Sequence, residues 1–194
     1  MMEIAKTKLD RRVRYTKNAI RDSFFSLMKE KPADKITVKE ICERADINRG
    51  TFYTHYTDAP ALVAELEEEF AAKLLSILEK MYVSDDYLDV VITEMLETFK
   101  ANPMMGCLML DEHSTGKGLK FLQEASRQKL ISSWKLRGDL SDFQAELVYT
   151  YVTSGCMEVF RRWYSNGCTA DKAEVKSVLE QVITGGLFAF VREL

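Results

Sequence analysis

The sequence predicts an all-α protein, and three observations carry the prediction. Only 3 of the 194 residues are Pro and 9 are Gly, while Leu, Glu, Lys, Ala and Met are abundant, a composition that favours helix throughout. Apolar residues recur every three or four positions in one segment after another, and no stretch reads as a strand. Capping and stopping residues, among them Thr37, Asn48, Asp58 and Gly138, divide these segments at helical lengths. The hydrophobic fraction of 46% and charged fraction of 29% are those of a soluble globular chain, and the length suits one large or two small domains. No apolar run approaches the roughly 18 residues of a membrane span. The opening MMEIAKTKLD has no apolar signal core, so the expected location is the cytoplasm.

The first helix is expected from Asp10 to about Lys31, burying Ala19, Ile20, Phe24, Leu27 and Met28 along one stripe. Its leading end carries Arg11, Arg12 and Arg14, just after Lys6 and Lys8. Cations at a helix start oppose the macrodipole, so an external anion is a reasonable partner for them. Lys31-Pro32-Ala33-Asp34 breaks the chain before the next cap. Thr37 with Glu40 three residues on forms a capping box, and Val38, Ile41, Cys42 and Ala45 give the second helix an apolar face. Asp46-Ile47-Asn48 is a turn, and Asn48 caps a third helix expected from Arg49 to Tyr56.

That third helix leaves only Phe52 and part of Tyr56 for a core. A helix so short and polar is marginal alone, so its neighbours must hold it. Its remaining residues are small, hydroxylic or hydrogen-bonding aromatics, as a helix entering a DNA major groove requires. An ordinary helical hairpin on a globular surface is the competing reading of the spacing. The charge distribution agrees with DNA: residues 1–56 hold 13 Lys and Arg against 8 Asp and Glu, and the remainder 14 against 22.

ITVKEICERADINRGTFYTHY, preceded by RRVRYTKNAIRDSFFSLMKEK, resembles the DNA-binding domain of the TetR/AcrR family of bacterial regulators. The resemblance covers about Asp10 to Val63. It is nearest a subgroup that includes activators of dihydroxyacetone utilisation and many repressors. The family implies an N-terminal three-helix helix-turn-helix domain, expected over residues 1–56, and a C-terminal helical domain for effector binding and dimerisation over 57–194. It also implies backbone contacts from Thr37, Thr51, Tyr53, His55 and Tyr56, base contacts from Arg49, Gly50 and Thr54, and charge from Arg11, Arg12 and Arg14. The family usually has a phosphate-binding lysine near the position of Ala59. Here the run is Thr57-Asp58-Ala59-Pro60, with an acid beside the missing lysine. The helix N-terminus there can still attract a phosphate.

Thr57 or Asp58 caps a fourth helix to about Tyr82, with Pro60 in its first turn and Leu62, Leu66, Phe70, Leu74 and Leu78 on one face. Val83 to Asp86 is a turn. Helices are expected at 86–100, at the short apolar run 104–111, and at 119–136, 140–165 and 170–192. The glycines of Ser114-Thr115-Gly116-Lys117-Gly118 do not have P-loop spacing, and no strand precedes them. In the last two helices Val148, Tyr151, Val152, Gly155 and Val159 meet Val178, Val182, Gly185, Gly186, Phe188 and Ala189 as a small and apolar set. Glycines inside helices cost roughly 1 kcal/mol each relative to Ala. Either they make room within one chain or they serve close helix packing between two. The family implies the second, a homodimer through these two helices.

Cys42, Cys107, Cys156 and Cys168 show no metal-ligand spacing, and with His55 and His113 the only histidines no metal site is expected. Cys107, Asp111, Glu112 and His113 do not form a nucleophile-base set, so neither an enzyme nor a cofactor is expected. For a small apolar effector, the resemblance implies a C-terminal pocket. Met95, Phe99, Met104, Met105, Cys107, Met109, Phe121, Trp134, Tyr149, Cys156 and Trp163 are the candidate lining residues, since methionine and aromatics suit an adaptable apolar cavity and equally suit a plain core. The reading is a one-component regulator, a repressor before an activator, bound as a dimer to a palindromic double-stranded operator. The alternative is a protein-binding coactivator of the same fold that has lost DNA binding.

Overall fold

A computed structural model describes residues 2–79, 87–110 and 116–187, with backbone alone at 2–10, 87, 137 and 187. Among these residues the chain forms α1 (Met2–Met28), a 3-10 turn (Ala33–Lys35), α2 (Val38–Ala45), α3 (Arg49–Tyr53), α4 (Ala59–Leu78), α5 (Tyr87–Ala101), α6 (Pro103–Leu110), α7 (Lys117–Arg137), α8 (Asp142–Ser165) and α9 (Lys172–Leu187), and no strand. The all-α expectation is met. The expected turn at 83–86, Asp111 to Thr115, and the end of the last helix with Phe188 and Ala189 lie outside the described residues.

Two helix ends differ from the sequence reading. α1 begins at Met2, not Asp10. The preceding Glu-Ile-Ala-Lys-Thr-Lys-Leu contains no breaker and several strong helix formers, so the helix runs through it. Arg11, Arg12 and Arg14 therefore sit well inside α1, and the macrodipole does not act on them. α3 ends at Tyr53, not Tyr56. Thr54 Oγ1 donates to Thr51 O at 2.6 Å and His55 N to Phe52 O at 2.9 Å, which tightens the last turn.

The chain divides into two compact units, and the division falls inside α4, between Leu66 and Glu67, ten residues past the 56/57 boundary expected from sequence. α4 is a single unbroken helix across that point, so no linker marks it.

The first unit packs α1, α2, α3 and the start of α4 around Ile20, Phe24, Ile41, Phe52 and Leu62, each fully buried. Asp58 Oδ1 accepts from Ala61 N at 2.7 Å and so caps α4, as one of the two expected candidates. The second unit packs α5, α8 and α9 with the rest of α4 around Phe70, Leu74, Leu96, Phe99, Phe160 and Trp163. The Phe99 ring lies 5.5 Å from Phe70 edge-on and 5.5 Å from Phe160 in a stack. Two glycines permit close approach here. A Cβ at Gly118 would lie 2.6 Å from the Cβ and the carbonyl oxygen of Glu67, and a Cβ at Gly106 would lie 2.8 Å from the Tyr164 ring. Glu67 is a fully buried carboxylate, and Gly118 N donates to its Oε2 at 3.1 Å. It satisfies one of the unpaired N–H groups in the first turn of α7.

Candidate nucleic-acid interface and apolar cavity

The first unit fixes its polar short helix by local bonds. Thr37 Oγ1 accepts from Glu40 N at 3.4 Å, and Glu40 Oε2 accepts from Thr37 N at 3.0 Å and from Thr37 Oγ1 at 2.7 Å, which closes the capping box. Hydrogen bonds from Lys31 and then Thr37 hold the Glu40 carboxyl down at about 2. Asp46 takes a left-handed conformation, φ 52°, and turns the chain out of α2. Asn48 Oδ1 then accepts from Thr51 N at 2.7 Å and from Thr51 Oγ1 at 3.1 Å. Phe52, fully buried, anchors α3 from beneath, with Tyr56 at 5.6 Å between ring centroids.

What remains outward on α3 is polar. Arg49, Gly50, Tyr53 and Thr54 are exposed, Tyr53 to 55%, while Thr51 and His55 are half-buried. Arg11, Arg12 and Arg14 are exposed on α1, and neither they nor Arg49 form an ion pair with another described residue. Lys17, Lys31 and Arg44 of the same unit are paired, with Glu65, Glu40 and Glu30. Among the described residues these three cations are neutralised, and the four arginines are left for phosphate or base edges.

Tyr56 is a correction. It is expected at the DNA backbone, but it is 4% exposed and its hydroxyl donates to Glu65 at 2.8 Å. Lys17 bonds the same carboxylate at 2.7 Å and lies 5.3 Å from the centre of the Tyr56 ring. Burial opposes the charge on Glu65, but the bonds from Lys17 and Tyr56 outweigh it and keep its carboxyl below the ordinary range. Thr37 is exposed, yet its proton is committed to Glu40, so toward a phosphate it has no donor left unless the cap opens.

The second unit holds a cavity of about 120 Å³. Leu74 and Leu78 of α4, Leu88, Val91, Ile92, Met95 and Phe99 of α5, and Leu119, Leu122, Gln123, Ser126, Leu130 and Trp134 of α7 form part of its wall. Tyr149, Val152, Thr153, Cys156, Met157 and Phe160 of α8 and Leu179 and Ile183 of α9 complete it. Among the described residues no charged side chain is on this wall. Burial pushes the Cys156 thiol up to about 11, so it is neutral in the cavity.

Two family models match the chain. "Bacterial regulatory proteins, tetR family" matches residues 20–66, and "Transcriptional regulator C-terminal region", the TetR C-terminal model, matches residues 86–185. The chain belongs to the TetR family of transcriptional regulators. The first model ends at Leu66, where the structure divides. Neither describes an enzyme. No curated protein matches. Among solved structures, a TetR regulator from Streptococcus agalactiae is 21% identical over 92% of this chain and 98% of its own, with a TM-score of 0.69. The dihydroxyacetone kinase operon activator DhaS is 19% identical over 91% and 98%, with a TM-score of 0.62. FadR from Bacillus subtilis, in complex with stearoyl-CoA, is 16% identical over 86% and 97%, with a TM-score of 0.67. At these identities the likeness is one of fold.

In this TetR-family chain the structure gathers part of the expected pocket. Met95, Phe99, Trp134, Tyr149 and Cys156 line the cavity together. Met104, Met105, Cys107 and Phe121 do not, nor do Met109 and Trp163. α6 is apolar on every side, so sequence offers no face by which to aim Met104, Met105 or Cys107; Met105 and Met109 pack with the core away from the cavity. Phe121 is 40% exposed. Trp163 is buried, with Nε1 donating to Ala170 O at 3.1 Å. Sequence reasoning passed over the aliphatic wall and the hydroxyls of Ser126 and Thr153. Helical spacing on α7 (Leu119, Leu122, Gln123, Ser126, Leu130) was the available signal. None of the described helices is long and apolar enough to cross a membrane.

Proposed function

We propose that the protein is a one-component, ligand-responsive repressor acting in the cytoplasm. It binds a palindromic operator as a homodimer, with Arg49, Gly50 and Thr54 turned to bases and Thr51, Tyr53 and His55 to the backbone, while Thr37 holds the cap of α2. Arg11, Arg12 and Arg14 add phosphate contacts. The observation that carries the reading is the outward face of α3. Its side chains are polar and exposed, Phe52 holds the helix from below, and four exposed arginines of that unit lack an ionic partner among the described residues.

Support for the dimer comes from α8 and α9. Phe143, Leu147 and Tyr151 are 73%, 54% and 68% exposed along one stripe of α8, and Val178 and Val182 are 50% and 53% exposed on α9. A Cβ added at Gly155, Gly185 or Gly186 would meet no described residue within 4 Å, so among the described residues these glycines make room for nothing in their own chain. Two copies joined here would cover the stripe, and a two-fold pair reads half-sites about one DNA turn, roughly 34–36 Å, apart. The stearoyl-CoA bound by the B. subtilis FadR is in keeping with a ligand in the cavity of this chain.

A second reading, a coactivator without DNA binding, is favoured by one observation: Ala59, where the family's phosphate lysine is expected, is 7% exposed and follows the acidic cap Asp58. Fluorescence anisotropy on DNA from upstream of its own gene, across a salt series, separates the two. The repressor reading expects log affinity to fall steeply with log salt, by about 0.9 per phosphate neutralised. Binding with no salt slope, or none at low salt, leaves the coactivator.

A further inference from the structure

The cavity wall specifies more than apolarity. Three hydroxyls lie on it, and each proton is committed to main chain. Ser126 Oγ donates to Leu122 O at 2.7 Å, Tyr149 Oη to Gln123 O at 2.7 Å, and Thr153 Oγ1 to Tyr149 O at 2.8 Å. Ser126 Oγ and Tyr149 Oη stand 3.3 Å apart. With the protons on the shorter main-chain bonds, both oxygens keep acceptor capacity on the wall of the cavity. An incoming O–H or N–H can bridge both; an ether or a carboxylate oxygen would meet them lone pair to lone pair.

We infer that the cavity takes an uncharged hydroxyl compound of about six carbons, a phenol or a short alcohol, with its O–H donated to the Ser126–Tyr149 oxygen pair. This rests on the reading of the cavity as the effector site. The size is set by the volume, about 120 Å³, of the same order as the roughly 150 Å³ that accommodates benzene in an engineered apolar cavity. The lack of charge follows from the wall. A buried carboxylate or ammonium needs an opposite charge, and among the described residues no Lys, Arg, His, Asp or Glu lines this space. The raised pKa of Cys156 reports the same low polarity at an independent point.

Calorimetric titration of the full chain with phenol, fluorobenzene and benzoate tests this. Fluorobenzene is near in shape to phenol but has no donor; benzoate carries a charge. The expectation is phenol tighter than fluorobenzene by about fivefold, the effect of one neutral hydrogen bond, and benzoate weaker than phenol by tenfold or more. Tyr149→Phe should abolish the advantage of phenol over fluorobenzene while fluorobenzene still binds. Ser126→Ala, with circular dichroism as the folding check, reads the same pair should Tyr149→Phe fail to fold. Equal affinity for phenol and fluorobenzene in the unaltered chain, benzoate as the tightest ligand, or binding of none of the three overturns the inference. Operator affinity with and without phenol is measured separately. Selective phenol binding without any change in DNA affinity would retain the ligand chemistry and overturn the effector reading.

Discussion

Between Thr37 and Tyr53 the helix starts are set by side chains that bond residues three positions away, and a single buried ring, Phe52, anchors α3. From Glu67 onward α5, α7, α8 and α9 run 15 to 24 residues, and what places them is contact across tens of residues: Glu67 with Gly118, Tyr164 with Gly106, Phe99 with Phe160. The first region is specified locally and presents its chemistry outward. The second is specified by packing and encloses its chemistry. A small local change should therefore act on one function in the first unit, whereas a packing change in the second should disturb the whole cavity.

The largest expected effect strikes the anchor. Phe52→Ala empties a fully buried site and should cost about 3–5 kcal/mol, seen as an early melting step of the first unit with DNA binding lost. A loss below about 1 kcal/mol would show that α3 is held by its caps alone. Next is Gly118→Ala, which forces a methyl to 2.6 Å from Glu67 backbone and side chain. It should cost about 1–3 kcal/mol by overpacking and weaken ligand binding while the isolated DNA contacts persist. An unchanged melting curve would mean that α4 and α7 separate at no cost.

Arg49→Ala should lose about 1–3 kcal/mol on the specific operator and alter preference among sites, whereas Tyr53→Ala should weaken all sequences alike. Gel-shift series on specific and random DNA in which both behave identically would sink that division of roles. Thr37→Ala should cost about 1 kcal/mol through the lost cap. If it weakens DNA binding beyond what this destabilisation accounts for, Thr37 also meets a phosphate.

The smallest effect concerns pH. Glu65 has a folded pKa below its ordinary 4.5, so it binds fewer protons folded than unfolded. Its contribution is present above about that value and lost as pH falls through the lower folded one. Acid melts of the Glu65→Gln variant should show a shallower loss of stability in that window; an unaltered acid limb would place the sensitivity elsewhere.

How much was legible follows from the same contrast. The cap at Thr37, the turn at Asp46, the Asn48 cap and the burial of Phe52 are all consequences of near neighbours, and the structure agrees with each reading. Tyr56 was misplaced because the acceptor of its hydroxyl, Glu65, is nine residues on and reaches it only through the direction of α4. Met104, Met105 and Cys107 were misplaced because α6 has no polar face to orient it.

The order of side chains along this chain determined by itself that it would be helical, where most helices begin and end, and which short helix would offer polar groups outward, since caps and apolar periodicity act within a turn or two. Only tertiary structure decided that Tyr56 turns inward, that the unit boundary falls at Leu66, that Gly118 must be glycine, and that Ser126 and Tyr149 stand together on one wall. Those outcomes depend on distances between residues far apart in sequence, and such distances exist only once the helices have packed.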